Sequence, residues 1–315
     1  MYDPELSRLL EIAISQTSAE LKQAAPFMAR QVIPWLRYLA GTDRLQDYFT
    51  RPGAFPSLLL PWWLEKTLRP APDLAFQSDL VRSTINGYYY IRLIDNLMDG
   101  HATVELGLLP VLGFFFTRVQ LPYQRHFPYD HAFWDFFITQ SSQSADVTIQ
   151  DANLTDIDQF HFGQVSARKT CGVKIPLGAV CYKYAEPDLI APWARFVDAF
   201  GAWHQMLNDL FDWSKDMKNG TPTYFLAEAH RRSRPHESVL HWVIEEGFDW
   251  AAELILTGMA ESKALARELN SPALIAYLDR REALFLRQKE AVVAGLRQAA
   301  RLLALLQQAN PSEPA

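Results

Sequence analysis

An all-α protein, built as a single large helical bundle over residues 1–315, is what this sequence predicts, on three observations. Apolar residues recur at three- and four-residue spacing over most of the chain, which is the period of one face of an α-helix. Val, Ile and Thr rarely alternate with polar residues, so the pattern of a half-buried strand is almost missing. Clusters of Pro and Gly cut the chain into helix-length pieces, and none of them is long enough to act as a flexible linker. With 315 residues, 49% of them hydrophobic and 21% charged, the chain can bury a sizeable core and is neither disordered nor fibrous.

Roughly a dozen helices follow in order. The first two are Pro4 to Gln23 and Pro26 to Ala40, and Arg51-Pro52-Gly53 separates them from Phe55 to Leu68. Pro70-Ala71-Pro72 then precedes the strongly apolar segment Leu74 to Asp99, which is followed by Val104 to Val119. Leu121-Pro122 and Phe127-Pro128 break the chain before His131 to Gln143, Asp156 to Thr170, Ile175 to Tyr184 and Ala191 to Lys218. Asn219-Gly220-Thr221-Pro222 and Arg234-Pro235 bracket Tyr224 to His230, and the series closes with Glu237 to Glu246, Ala251 to Asn270 and Ser271 to Gln308. There is no internal repeat, and the tail, 310–315, is expected to fray.

Thirty Lys and Arg against 36 Asp and Glu give a formal charge of −6, which disfavours nucleic acid as a partner. Cys171 and Cys181 stand ten residues apart and match no zinc or redox spacing, as suits a reducing compartment. The N-terminal residues lack the basic-then-apolar pattern of a leader. The longest apolar stretch, Leu106 to Thr117, is interrupted by Pro110 and falls short of the ~20 residues of a bilayer span. A soluble, cytoplasmic protein without a transmembrane segment is expected, with a homodimer left open. Aromatics reach 13% (9 Trp, 12 Tyr, 19 Phe), more than core packing ordinarily calls for.

Two acidic segments carry the functional reading. In Tyr88-Tyr-Tyr-Ile-Arg-Leu-Ile-Asp95-Asn-Leu-Met-Asp99-Gly100 two aspartates stand four apart, so that Asp99 lies about 40° round the helix from Asp95 and shares its face with Tyr88, Ile91 and Arg92, while Tyr90, Leu93 and Leu97 fall behind. A solvated helix edge is the plain alternative. Against it, Asp is a poor helix former, like charges at this spacing repel, and Gly100 marks a helix C-terminus, where the macrodipole disfavours anions. A cation offsets all three costs, and Mg²⁺ prefers such hard oxygen ligands, with water and substrate phosphate completing its shell.

The second segment is Gly201-Ala-Trp-His-Gln-Met-Leu-Asn208-Asp-Leu-Phe-Asp212-Trp-Ser-Lys215-Asp216-Met-Lys-Asn-Gly220. With Asn208 at zero, Asp212 lies about 40° round the helix, Asp216 about 80° and Lys215 about −20°. Trp203 and Trp213 fall on the opposite face and belong in the core, whereas His204 and Gln205 share the polar face. An Asn heading an i, i+4, i+8 set of oxygen ligands is not what salt-bridge patterning produces, although a charged solvent face is the competing reading. Between the two segments, Gln164-Val-Ser-Ala-Arg168-Lys169-Thr170-Cys-Gly172 supplies two cations just before a helix break, where N–H groups and side chains can converge on an anion.

At these residues the sequence resembles a family. Asn208-Asp-Leu-Phe-Asp212-Trp-Ser-Lys215-Asp216, followed by Gly220, is similar to the Asn/Ser/Glu metal motif of class I terpene synthases, with Asp at the Ser and Glu positions. Its Asn-Asp-x-x-Asp core also resembles the second aspartate-rich motif of trans-prenyl diphosphate synthases. Asp95-Asn-Leu-Met-Asp99 resembles the first motif of both, and the DxxxD of squalene and phytoene synthases. The resemblance covers roughly residues 74–223. It implies the all-α isoprenoid synthase fold with a central active-site cavity, in which Asp95, Asp99, Asn208, Asp212 and Asp216 hold three Mg²⁺ ions around a substrate diphosphate. Lys169-Thr170 resembles the Lys-Thr pair of prenyltransferases, Arg168 falls near the place of the diphosphate-sensing arginine of terpene synthases, and Lys215 matches a diphosphate-contacting lysine. The paired arginines that follow the first motif in prenyl diphosphate synthases are missing, as is the Gly-Lys after the second, and Arg280 and Arg281 are weak substitutes for the C-terminal Arg-Tyr pair of terpene synthases.

The activity implied is Mg²⁺-dependent ionisation of an allylic prenyl diphosphate, in which Arg168, Lys169 and Lys215 bind the leaving group and a terpene hydrocarbon or alcohol results. Aromatic faces would stabilise the carbocation and keep water from it, which gives the aromatic excess a role. Tyr88, Ile91, His204 and Phe211 are expected to line the cavity, with Phe114, Phe115, Phe116, Trp134, Phe136 and Phe137 as further aromatic candidates. The alternatives are a chain-elongating prenyl diphosphate synthase, a head-to-head synthase of the squalene or phytoene type, and an inactive helical bundle that binds a lipid or a protein.

Overall fold

A computed structural model describes the backbone of residues 2–98 and 106–309, with side chains as far as residue 296 and at 298. All its regular elements are helical, and among the described residues there is no strand. α1 (Pro4–Ala24) starts where the Asp3 carboxylate accepts the Leu6 N–H at 2.9 Å, and it buries the stripe Leu6, Leu10, Ala13, Thr17 and Leu21. α2 (Pro26–Ala40) ends at Gly41, whose φ of 71° is the left-handed cap that glycine adopts without strain. A short α3 (Asp47–Thr50), which the apolar period does not announce, leads into α4 (Leu59–Leu68). α4 begins four residues later than Phe55, because Pro56 disfavours the helical region for the residue before it. α5 (Leu74–Met98) is described up to Met98, so Asp99, with Gly100, lies outside the described residues.

The apolar segment that follows is bent at its prolines. A 3₁₀ turn (Leu106–Leu108), α6 (Val111–Gln120) and a second 3₁₀ turn (Tyr123–Arg125) take the place of one continuous rod. Leu106–Arg125 has the length and apolar composition of a membrane span, with mean hydropathy 1.2, but its helix α6 runs for only 10 residues. α7 (Phe133–Asn153) continues ten residues past Gln143, although that stretch is rich in Ser, Gln and Asp; packing against α8 (Gln159–Arg168) and α9 (Cys171–Lys183) carries it.

After a 3₁₀ turn (Pro187–Leu189), α10 (Ile190–Asn219) runs thirty residues and stops at Gly220, again left-handed with φ 68°. α11 (Tyr224–Arg232) is capped by Thr223. α12 (Val239–Trp242) passes through a π turn at Val243–Gly247 into α13 (Phe248–Glu268), and α14 (Pro272–Ala309) is the last described helix. At the π turn the Trp242 ring lies so close to Gly247 that a Cβ there would stand 2.3 Å from it.

α9 is central. It packs against α4, α5, α7 and α10, while α10 also packs against α8, α11 and α13, and α5 against α1 and α6. The core is strongly aromatic, with Trp62, Trp193, Trp242, Tyr89, Phe196 and Phe200 among its fully buried side chains. Phe115 and Phe137 are buried in that core, and Phe136 lies against Gly178 of α9, where a Cβ would come within 2.2 Å of its ring. Both cysteines are free and buried.

Candidate active site

α10 places its polar residues by its contact with the end of α8. A Cβ on Gly201 would stand 2.4 Å from Thr170 Cγ2 and 3.2 Å from the Ser166 carbonyl oxygen, so the glycine is what lets the two elements approach this closely. Two turns further on, Asp209 is 3% exposed; its carboxylate accepts from Gln205 Nε2 at 2.7 Å and from the Tyr224 backbone N–H. Burial raises its pKa to about 7, against the pull of Gln205 and the Lys169 charge and with a further push from Asp216. Asn208 and Asp212 are exposed, and Asp216 is half-buried. Burial raises the Asp216 pKa first and the neighbouring Asp212 charge second, while Lys215, itself exposed, pulls it back. Trp203 is buried, as its position on the wheel predicts, and Trp213 is half-buried.

On α5, Asp95 is half-buried and accepts from Arg92 Nη1 at 2.7 Å. Tyr88 packs edge-on against Tyr48 and Phe49, at ring separations of 5.4 and 5.7 Å. Burial holds the Tyr88 hydroxyl pKa up, countered by the charges of Arg92 and Arg51. Ile91, 38% exposed, reaches the first turn of α9, its Cδ1 lying 3.1 Å from where a Gly172 Cβ would sit. The turn 169–172, running from the end of α8 into the first turn of α9, therefore touches α5 through Ile91 and α10 through Gly201.

The two cations of that turn have partners that the sequence did not point to. Arg168 donates to Asp146 Oδ2 at 2.5 Å and to Gln150 Oε1 at 3.3 Å, and Lys169 pairs with Asp151; all three partners lie on α7. Lys169 is also close enough to Asp209 to lower its pKa. Behind the turn, Lys174 pairs with Asp198 at 2.5 Å, and the Thr170 hydroxyl donates to the same carboxylate at 3.3 Å.

A second group joins α3, α10 and α14. The Arg51 guanidinium stands 4.8 Å above the Tyr48 ring, and its charge acts on both Tyr88 of α5 and His204 of α10. Arg281 of α14 is 3% exposed and donates to the Ala54 carbonyl at 3.0 Å and the Tyr277 hydroxyl at 2.7 Å, with Nη2 3.4 Å from His204 Nδ1. Its charge is spread over the Trp203 and Phe200 rings, at 5.1 and 5.8 Å. Burial, followed by the charges of Arg281 and Arg51, lowers the His204 pKa to about 3, so its imidazole is neutral at neutral pH. Phe211 sits 6.3 Å from Phe285 of α14. Asp209, Asp146, Asp151, Arg51 and Arg92 thus join the site although the motif reading did not choose them; for Asp209 the signal was its place within the second motif.

Among the described residues no three His, Cys, Asp or Glu side chains converge as a ready-made metal site. The donor chemistry still suits a hard divalent cation. Asp212 and Asp216 repel one another across one helical turn, and no salt bridge holds either among the described residues. No model of a known protein family matches the chain, and no curated protein matches its sequence.

Proposed function

We propose that this chain is a Mg²⁺-dependent class I terpene synthase, in a bundle of the isoprenoid synthase type, which ionises an allylic prenyl diphosphate in a central cavity. The observation that carries the reading is the turn 169–172, which borders the first acidic helix at Ile91 and the second at Gly201 and brings Lys169 into range of Asp209. Two carboxylate-bearing segments beside one cationic helix break are what a metal-assisted diphosphate leaving group requires.

Asp95, Asp99, Asn208, Asp212 and Asp216 would hold the Mg²⁺, which when bound supplies Lewis-acid neutralisation of the diphosphate. Lys169, Arg168 and Lys215 bind diphosphate oxygens, and Asp151 and Asp146 hold the first two in place until substrate competes for them. The departing group takes the bonding electron pair, and the allylic carbon becomes a cation. Tyr88, with Tyr48 and Phe49 at its edge, offers that cation aromatic surface, and His204 stands neutral beside the Arg281 and Arg51 guanidinium groups. Ile91 and Phe211 contribute apolar surface that excludes water.

A head-to-head synthase acting on two identical allylic diphosphates is the second reading. It is favoured by the coupling of Asp212 with Asp216, which gives α10 an acidic pair with the same four-residue spacing as Asp95 and Asp99, while Asn208 is exposed one turn away.

The test is incubation with geranyl, farnesyl and geranylgeranyl diphosphates, each with and without isopentenyl diphosphate and with Mg²⁺ or EDTA. Released diphosphate and organic products are then quantified. One diphosphate per product molecule from a single substrate supports the terpene synthase, two per product the head-to-head enzyme, and dependence on isopentenyl diphosphate a chain-elongating one. Asp212→Asn and Asp216→Asn should each abolish release with helical circular dichroism unchanged. Absence of Mg²⁺-dependent release from all three substrates refutes the reading and leaves the inactive bundle.

A further inference from the structure

Away from the acidic motifs, Arg82 of α5, Arg118 of α6 and Arg125 line a cavity of about 300 Å³ together with Leu121, Pro122 and Gln124. Arg82 precedes Asp95 by thirteen residues on the same helix, about 20 Å along its axis at 1.5 Å per residue, so the cavity is a separate place from the candidate active site.

Its charges do not cancel. Glu20 of α1 accepts from Arg82 and, at 2.9 Å, from Arg118 Nε; Asp79 accepts from Arg125 at 2.8 Å and pairs with His126 at 2.9 Å. Three guanidinium groups thus face two carboxylates, an excess of one positive charge among these five groups. Donors are left over as well. Arg82 gives Nη2 to Glu20, and Arg118 gives Nε to Glu20 and Nη1 to the Phe114 carbonyl at 3.2 Å, so among the described residues Arg82 Nη1 and Arg118 Nη2 donate no hydrogen bond. The Arg125 side chain is 63% exposed and uses Nη1 on Asp79, and Gln124 is exposed at the rim. Surplus fork-shaped donors around a cavity at the small end of ligand pockets match the oxygens of a phosphate.

We propose that this cavity binds a phosphate-bearing ligand, with Arg82, Arg118 and Arg125 taking its oxygens and the Gln124 amide at the mouth. Two sources share that chemistry. One is a free phosphorylated small molecule. The other is the headgroup of an anionic lipid, for which Leu121, 48% exposed, offers adjoining apolar surface.

The full chain is titrated with inorganic pyrophosphate by calorimetry in EDTA, so that no Mg²⁺-dependent binding at the acidic motifs contributes, and is sedimented with phosphatidylcholine vesicles with and without phosphatidic acid. Arg125→Gln removes a donor and leaves Asp79 its His126 partner, and Gln124→Glu places a negative charge at the mouth without disturbing a salt bridge. Saturable pyrophosphate binding identifies a site open to soluble ligands, and sedimentation confined to phosphatidic acid vesicles identifies a headgroup site. In either case both variants should weaken binding about tenfold or more, and Lys169→Gln, which removes a cation proposed to hold diphosphate at the acidic motifs, should leave it unchanged. Binding of neither probe, or binding that either cavity variant leaves at the wild-type level, overturns the proposal. The Lys169→Gln control keeps its failure separate from that of the proposed catalytic function.

Discussion

Replacing His204 by Asn tests the electrostatic account of the wall between α10 and α14. In the fold the imidazole faces Arg281 and feels Arg51, and its pKa lies at about 3 against an ordinary value of 6.5. The unfolded chain therefore takes up a proton as the pH falls below 6.5, while the folded chain does not until about 3. This contribution to stability is complete above 6.5 and is lost progressively as the pH falls through that window. Each pH unit in the window costs at most about 1.4 kcal/mol, so going from about pH 8 to about pH 5 should cost the wild type about 2 kcal/mol from this one group. Water reaching the half-buried ring lowers the figure towards about 1 kcal/mol. Asn keeps an oxygen for the Arg281 N–H and does not titrate, so its profile should be flatter by that amount, whatever the substitution costs in packing. Urea unfolding followed by circular dichroism in EDTA at three pH values measures the difference, and the other histidines cancel between the two proteins. Parallel profiles, or a steeper one for His204→Asn, would refute the reasoning.

Three further outcomes follow from the packing. Gly201→Ala should push the turn 169–172 away from α10, cost about 1–3 kcal/mol in urea unfolding and depress diphosphate release; Gly258→Ala, whose Cβ would meet Trp203 at an ordinary 3.5 Å, should do neither. Glu65→Ala should cost about 3–5 kcal/mol, read as a fall in melting temperature, because the wholly buried Glu65 carboxylate accepts from the Asp73 N–H at 2.7 Å, Gln77 Nε2 at 2.6 Å and the Tyr184 hydroxyl at 2.5 Å. Cys171 and Cys181 should resist a thiol reagent until urea unfolds the chain, since both are buried and burial raises the Cys181 pKa to about 12.

Much of this architecture was legible residue by residue. Apolar spacing marked the long helices, Pro and Gly marked most of their ends, and the wheel around Asn208 placed Trp203 on the buried side. Local period failed where neighbours decide. The polar stretch 144–153 is helical where the end of α8 meets it, Arg168 on Asp146 and Gln150 and Lys169 on Asp151. Asp209, adjacent in sequence to the chosen Asn208, is the carboxylate that turns inward, because Gly201 lets the α8 end press on that side of α10.

The partners of the cations were equally hidden. Nothing in the segment around Arg168 and Lys169 names Asp146 or Asp151, and nothing near His204 names Arg281, 77 residues away. The order of residues along the chain thus determined the helices, the faces on which their charges lie and the basic break between two acidic segments. Tertiary structure alone decided which charges meet and which carboxyl is buried. Helical period is set by contacts three and four residues apart, whereas ion pairs and desolvation depend on which rods lie side by side, and that is chosen by the burial of the whole core.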